Sequence, residues 1–111
     1  MRMKNGLYTV QFAVGPNQGA GVLTFWDGMV SGGDSGFAYF GQIDQNGEQM
    51  IGTVEINQHS VGIDNVFAGL TSFTLKIEGR ETQNDTASFR GTTDAAPGVP
   101  LNVAMRLLRA F

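Results

Sequence analysis

The chain has 111 residues, 15% of them charged and 41% hydrophobic, with a net charge of −3 and no cysteine. That length makes one domain over 1–111, long enough to bury most of the surface its unfolded form exposes. The balance excludes a disordered chain, a disulfide framework and a thiolate metal site, and the scattering of the seven Lys and Arg residues argues against direct nucleic-acid binding.

The opening Met1-Arg2-Met3-Lys4-Asn5-Gly6 carries cations with no long apolar run behind them. It reads as neither a signal peptide nor a membrane span, so a reducing cytoplasm is the expected compartment. A first strand over 7–14 puts Tyr8, Val10, Phe12 and Val14 on one face and Thr9 and Gln11 on the other. Turn residues at 15–19 lead to a second strand over 20–26, which Asp27-Gly28 returns into a short third over 29–31. Phe37, Tyr39 and Ile43 then alternate against Ala38 and Gln42, and Asn46-Gly47 turns the chain into a strand over 50–58 with Val54 and Ile56 on one face. The interval 59–71 is the least regular. It reads as a long loop or as a short helix near 63–70 capped by Asp64 or Asn65. Beyond it Phe73, Leu75 and Ile77 oppose Ser72, Thr74, Lys76 and Glu78. Asn84-Asp85 turns into Ala87 and Phe89, and a last strand aligns Val99, Leu101, Val103, Met105 and Leu107.

About eight strands, each with one wet and one dry face, fit either a two-sheet sandwich or a sheet closed on itself. The run of sequential hairpins favours an all-β, antiparallel up-and-down barrel, because closure also removes exposed edges. A barrel of this size is filled by side chains or holds one small ligand. The inward faces that would do either carry Tyr8, Val10, Phe12, Phe37, Tyr39, Phe73, Leu75, Ile77 and Phe89.

Chemical motifs are sparse. Gly33-Asp34-Ser35-Gly36 repeats the nucleophile string of serine proteases, but the single histidine, His59, lies downstream, and the string reads as a glycine-rich turn. His59 reads as a surface residue, and the carboxylates are too dispersed for a calcium loop or a zinc site. Glu55 is expected to face solvent from within its strand. Trp26, beside a hairpin turn, reads first as a plug for a barrel end and otherwise as a partner contact. No enzyme activity, metal or cofactor is expected. The terminal stretch leaves Leu108 and Phe111 exposed for self-association, unless the 59–71 segment covers them.

An ordered set of short motifs spans most of the chain: Met3-Lys4-Asn5-Gly6-Leu7-Tyr8 with Phe12, Gly19-Ala20-Gly21-Val22, Ser31-Gly32-Gly33-Asp34 and Tyr39-Phe40-Gly41. Val66-Phe67-Ala68-Gly69 and Phe73-Thr74-Leu75 follow. Together they resemble the GrlR family, small bacterial proteins related to a negative regulator of type III secretion genes. The resemblance implies a cytoplasmic, lipocalin-like β-barrel that forms a homodimer and sequesters a transcriptional activator without catalysis. In the founding member of that family an acidic, surface-exposed loop is tied to binding the activator. The corresponding stretch here, Asp44, Gln45, Asn46, Gly47 and Glu48, keeps two acids around an Asn-Gly pair. A second expectation, from the apolar inward faces, is a carrier or sensor of a small apolar ligand held inside the barrel.

Overall fold

The computed structural model describes residues 3–62, 67 and 69–111. Eight antiparallel strands follow one another around a closed barrel: β1 (Gly6–Val14), β2 (Asn17–Trp26), β3 (Met29–Gly33), β4 (Phe37–Asn46), β5 (Gln49–Gln58), β6 (Ser72–Gln83), β7 (Thr86–Thr92) and β8 (Leu101–Ala110), with β8 pairing back onto β1. No helix occurs among the described residues. The short helix considered near 63–70 falls largely on residues outside that set. Closure decides for the barrel over the sandwich and gives every strand a neighbour on each side.

Alternation sets the inside of the barrel. Tyr8, Val10, Leu23, Phe25, Tyr39, Ile43, Val54, Ile56, Leu75, Ile77 and Phe89 are buried, while Thr24, Gln42, Glu55, Lys76 and Glu78 are half-buried or exposed on the other face. Glu55 faces solvent, as its place in the alternation required.

The interior fits because inward glycines lie opposite large inward residues. Gly41 pairs with Val30 and Val54, Gly52 with Ile43 and Ile77, and Gly79 with Met50 and Phe89. At all three the strands press together so closely that no side chain fits. A Cβ at Gly41 would lie 2.1 Å from the Thr53 carbonyl oxygen, and one at Gly79 would lie 2.0 Å from that of Ser88. Bends of this kind let short strands coil around a narrow core.

Several boundaries depart from the sequence reading. Gly15-Pro16 makes the first turn alone, so β2 begins at Asn17 and not at Ala20. β6 runs on to Gln83, which carries Glu81 to an inward position opposite Ala87. Val99 precedes β8; it is set by a turn in which its N–H donates to the Ala96 carbonyl (3.3 Å), just before Pro100, which has no N–H for a ladder.

The Asp27-Gly28 turn has positive φ at both residues, 47° and 88°, the primed geometry that matches strand twist. The Asn46-Gly47 turn is displaced by one residue. Asn46 pairs with Gln49 as the last residue of β4, and Gly47, at φ 66°, with Glu48 forms the loop. This register seats Gly41 opposite Val54 and Gly52 opposite Ile43. A turn centred on 46–47 would set Ile43 against Met50 instead and crowd the core.

Gly79→Ala tests this packing. Its methyl group meets the Ser88 carbonyl oxygen and the Phe89 Cα first, backbone atoms that cannot swing aside, so we expect a loss of about 1–3 kcal/mol, the range of core overpacking. Urea unfolding measures it, and unchanged stability would contradict the close strand approach.

Candidate functional site

The alternation of strand direction gives the barrel two different ends. At one end lie the N-terminal residues, the tight turns at 27–28, 47–48 and 84–85, and Phe111. At the other lie the Gly15-Pro16 turn and the connections 34–36, 59–71 and 93–100. These ends are called here the turn end and the loop end.

Toward the loop end the interior is not completely filled. A cavity of about 80 Å³ is lined by apolar side chains, among them Val10, Phe12, Phe37, Val54, Leu75 and Phe89, with Asp34 and Tyr39 as its polar members. Phe67, from the 59–71 connection, is buried over this end and meets Phe73 edge to face at 5.4 Å. The aromatic residue that fills a barrel end is therefore Phe67. Trp26 lies outside the barrel, 54% exposed, with its ring 6.0 Å from that of Phe111. Its place as an outward residue of β2, next to inward Phe25 and so on the opposite face, prevents it from plugging the interior.

Of the inward residues read from the sequence as ligand-lining, Val10, Phe12, Phe37, Tyr39, Phe73, Leu75, Ile77 and Phe89 line the cavity. Tyr8 does not. It is buried toward the turn end, edge-on to Phe25, with its hydroxyl donating to the Lys4 carbonyl oxygen at 2.6 Å.

The polar corner of the cavity is built by the turn between β3 and β4. One carboxylate oxygen of Asp34, Oδ1, accepts from the N–H groups of Gly36 (2.9 Å) and Phe37 (2.8 Å), the Asx geometry that closes such turns. Its other oxygen, Oδ2, accepts a short hydrogen bond from the Tyr39 hydroxyl. The Tyr39 ring packs at a right angle to Phe12, 6.2 Å between centroids. Gly21 gives it room, since a Cβ there would lie 2.9 Å from the Tyr39 hydroxyl oxygen and 2.7 Å from the Gly33 carbonyl.

Tertiary structure also brings His59 to this turn. Its Nε2 donates to the main-chain oxygen of Asp34 at 2.9 Å, and its own N–H donates to the Gly36 carbonyl, also at 2.9 Å. The protease-like string is thus a structural turn. Its aspartate orients a tyrosine, and its serine is exposed, while the histidine braces the backbone. Sequence reasoning placed His59 on the surface and missed this bracing contact, because the two partners stand 25 residues apart. The Asp34–Tyr39 pair had a local signal, an aspartate followed by free N–H groups and, five residues on, an inward tyrosine.

The proposed partner loop lies at the opposite end. Asp44 is exposed on the outside of β4 opposite Ile51, and Asn46, Gly47 and Glu48 are exposed at the turn. Gln45 is half-buried, and its Oε1 accepts from the Met3 N–H at 3.0 Å, so it ties down the N-terminal segment. Glu81 was not singled out from the sequence. It points inward at the turn end, with Oε1 buried and without a hydrogen-bond partner among the described residues.

A second surface feature runs over the outside of β2, β3 and β4. Trp26 pairs with Met29, and Phe40 lies diagonal to Met29 across the β3–β4 ladder. Trp26, Met29, Phe40 and Phe111 are 54%, 57%, 50% and 64% exposed, so the patch continues from the C-terminus across three strands. Phe111 lies at the turn end, away from the described residues of the 59–71 connection.

No protein-family model matches the chain, and no curated protein matches it.

Burial raises the pKa of both tyrosines. Tyr8 is pushed up to about 12, chiefly by desolvation and secondarily by the charges of Asp85 and Glu81. Tyr39 moves in the same direction through burial and then through its bond to the Asp34 carboxylate. Both groups therefore keep their protons in the folded state at pH values where the unfolded chain, titrating near 10.0, has released them. Their contribution to stability is complete below that value and declines as pH rises through the range from 10.0 toward about 12. In an alkaline titration the phenolate absorbance should appear together with unfolding. A simple tyrosine titration near pH 10.0 with the fold intact would contradict this burial.

Proposed function

We propose that the protein is a non-catalytic regulatory binding protein of the GrlR type, a homodimer that sequesters a transcriptional activator. The observation that carries this reading is the outward apolar face of Trp26, Met29, Phe40 and Phe111, which the barrel's own core does not use. Contiguous apolar surface of this kind marks contact sites on soluble proteins. Its occupant is a second copy of the chain: the face is built on rigid paired strands and ends at Phe111, so two copies can meet through the same patch across a two-fold axis. The ordered motifs of the sequence and the eight-stranded barrel agree with the same reading. The activator is taken at the turn end, where Glu48 is exposed within the two-residue turn and Asp44 is exposed among the last residues of β4.

Two experiments test the two contacts separately. Replacing Trp26 and Phe40 together by Ser should convert a dimer to a monomer in sedimentation equilibrium while the far-ultraviolet circular dichroism is kept. A wild-type chain that sediments as a monomer removes the dimer. Replacing Asp44 and Glu48 by Ala should reduce recovery of a helix-turn-helix regulator from cytoplasmic extract at least several-fold. Equal recovery would rule out that turn as the binding site.

A second reading, a carrier or sensor of a small apolar ligand, is favoured by the cavity of about 80 Å³ at the loop end. The two readings occupy different ends of the barrel and do not compete for the same residues.

A further inference from the structure

We infer that the outer face of β6, β7 and β8 is a docking surface for an acidic segment of another polypeptide. The inference goes beyond the reading above. β1 and β5 separate this face from the strands that carry Trp26, Met29 and Phe40, and the turn at 47–48 is not part of it.

Charge comes first. The Lys and Arg residues are scattered along the sequence, but five of the seven, Lys76, Arg80, Arg90, Arg106 and Arg109, are exposed on these three strands. Among the described residues of the same strands, Glu78 is the one exposed carboxylate. Glu55, on β5 opposite Thr74, and Glu48 border the face on its other edge. A chain of net charge −3 thus gathers most of its positive charge on one side of the barrel.

The ladder sets the spacing. Glu78 pairs with Arg90, Arg80 with Ser88 and Lys76 with Thr92, so Arg90 stands diagonal to both Arg80 and Lys76. Diagonal neighbours are about 7–8 Å apart at Cα. On the next ladder Arg106 pairs with Thr86, which carries the field onto β8. The ion pair among the described residues is Lys4–Asp85, and none of these five cations takes part in it. Like charges held this close repel one another, and an incoming anion relieves that repulsion.

The neighbouring groups choose the anion. Four of the five cations are arginines, whose planar fork matches a carboxylate or a phosphate. The aromatic residues of these strands, Phe73 and Phe89, are buried, so the bases of a single-stranded nucleic acid have no ring to stack on. Glu78 also stands inside the field. A polynucleotide brings a phosphate at every step, whereas a polypeptide can set a hydroxyl or a cation against that carboxylate. A membrane needs apolar anchors beside the cations, and here Leu108 is the one large exposed apolar side chain on the described strands of the face. Exposed Thr82, Ser88, Thr92 and Asn102 lie among the cations and supply donors and acceptors for peptide groups.

The test measures binding to the full chain by fluorescence anisotropy, with a labelled peptide of alternating Glu and Ser and the same peptide carrying Gln for Glu. Oligothymidine and vesicles of phosphatidylcholine with phosphatidylserine are the competing probes. The acidic peptide should bind saturably and the Gln peptide should not. Its affinity should fall roughly tenfold as salt rises from about 0.05 to 0.3 M, because exposed charges are screened. Arg90→Glu should weaken binding about fivefold, and Arg80→Glu with Arg90→Glu roughly tenfold or more. Asn17→Asp with Gln18→Glu changes the net charge by as much as Arg90→Glu does, but at exposed positions on β2. That variant should leave the affinity within about twofold. Equal losses in the two variants would overturn the inference, because net charge and not the face would then govern binding. Absence of saturable binding of the acidic peptide at low salt would overturn it as well. Tighter binding of oligothymidine or of the vesicles than of the peptide would put a nucleic acid or a membrane in place of the polypeptide, and so overturn it too. None of these results decides the dimer or the turn at 47–48, whose tests use other residues.

Discussion

The interior of an eight-stranded barrel is too narrow for large side chains to meet one another from every strand, and the rest of this structure follows from how that crowding is relieved. Many large inward groups face a glycine on a neighbouring strand: Phe12 faces Gly19, Val10 faces Gly21, Leu23 and Tyr39 flank Gly32, and Met50 and Phe89 flank Gly79. The abundance of glycine, unusual for a globular chain, is therefore a property of the core as much as of the turns. Where a glycine lies against backbone, as at Gly41 and Gly79, it also lets the strand bend tightly enough to close the sheet.

The same device shapes the site. Gly19 and Gly21 clear the inner surface of β2 at the loop end, so the rings of Phe12 and Tyr39 lie across it and meet each other edge to face. Tyr39 then reaches Asp34, and the turn between β3 and β4 becomes part of the cavity wall. A polar group at the edge of an apolar interior is held there by bonds from its own turn. That arrangement keeps both carboxylate oxygens satisfied at the edge of an apolar interior.

The turn end is built on the opposite logic. Its connections are two-residue turns, and its side-chain bonds run between segments distant in sequence. The Asn5 side chain both accepts from the Asp27 N–H and donates to the Asp27 carboxylate, and Gln45 receives the Met3 N–H. These contacts give a rigid end on which Asp44 and Glu48 are presented, and beside which the Trp26–Phe111 pair begins the outward apolar face. One barrel thus carries an outward apolar face and an apolar interior cavity. Strand alternation keeps the two apart, because neighbouring residues of one strand point to opposite sides.

How far each feature could be read from sequence depends on the range of the interaction that makes it. Residues such as Phe73, Leu75 and Ile77 announced their inward face through period-two alternation, and Asp27-Gly28 announced its turn through the conformations its residues tolerate; both are local properties. The placement of the Asn46-Gly47 turn failed by one residue because local turn chemistry allows two registers there. The choice belongs to Gly41 and Gly52, which must stand opposite Val54 and Ile43 on the paired strand. Trp26 failed as a plug because its side was fixed by alternation with Phe25, whereas Phe67 fills the barrel end from a segment with no period at all. The sequence by itself determined which side of each strand is dry and nearly all the points at which the chain reverses, since both are set within a few residues. Only the tertiary structure decided that β8 closes onto β1, that His59 braces the turn of Asp34, and that a cavity remains beside Tyr39. Closure and residual volume are sums over all eight strands, and no single stretch of chain contains them.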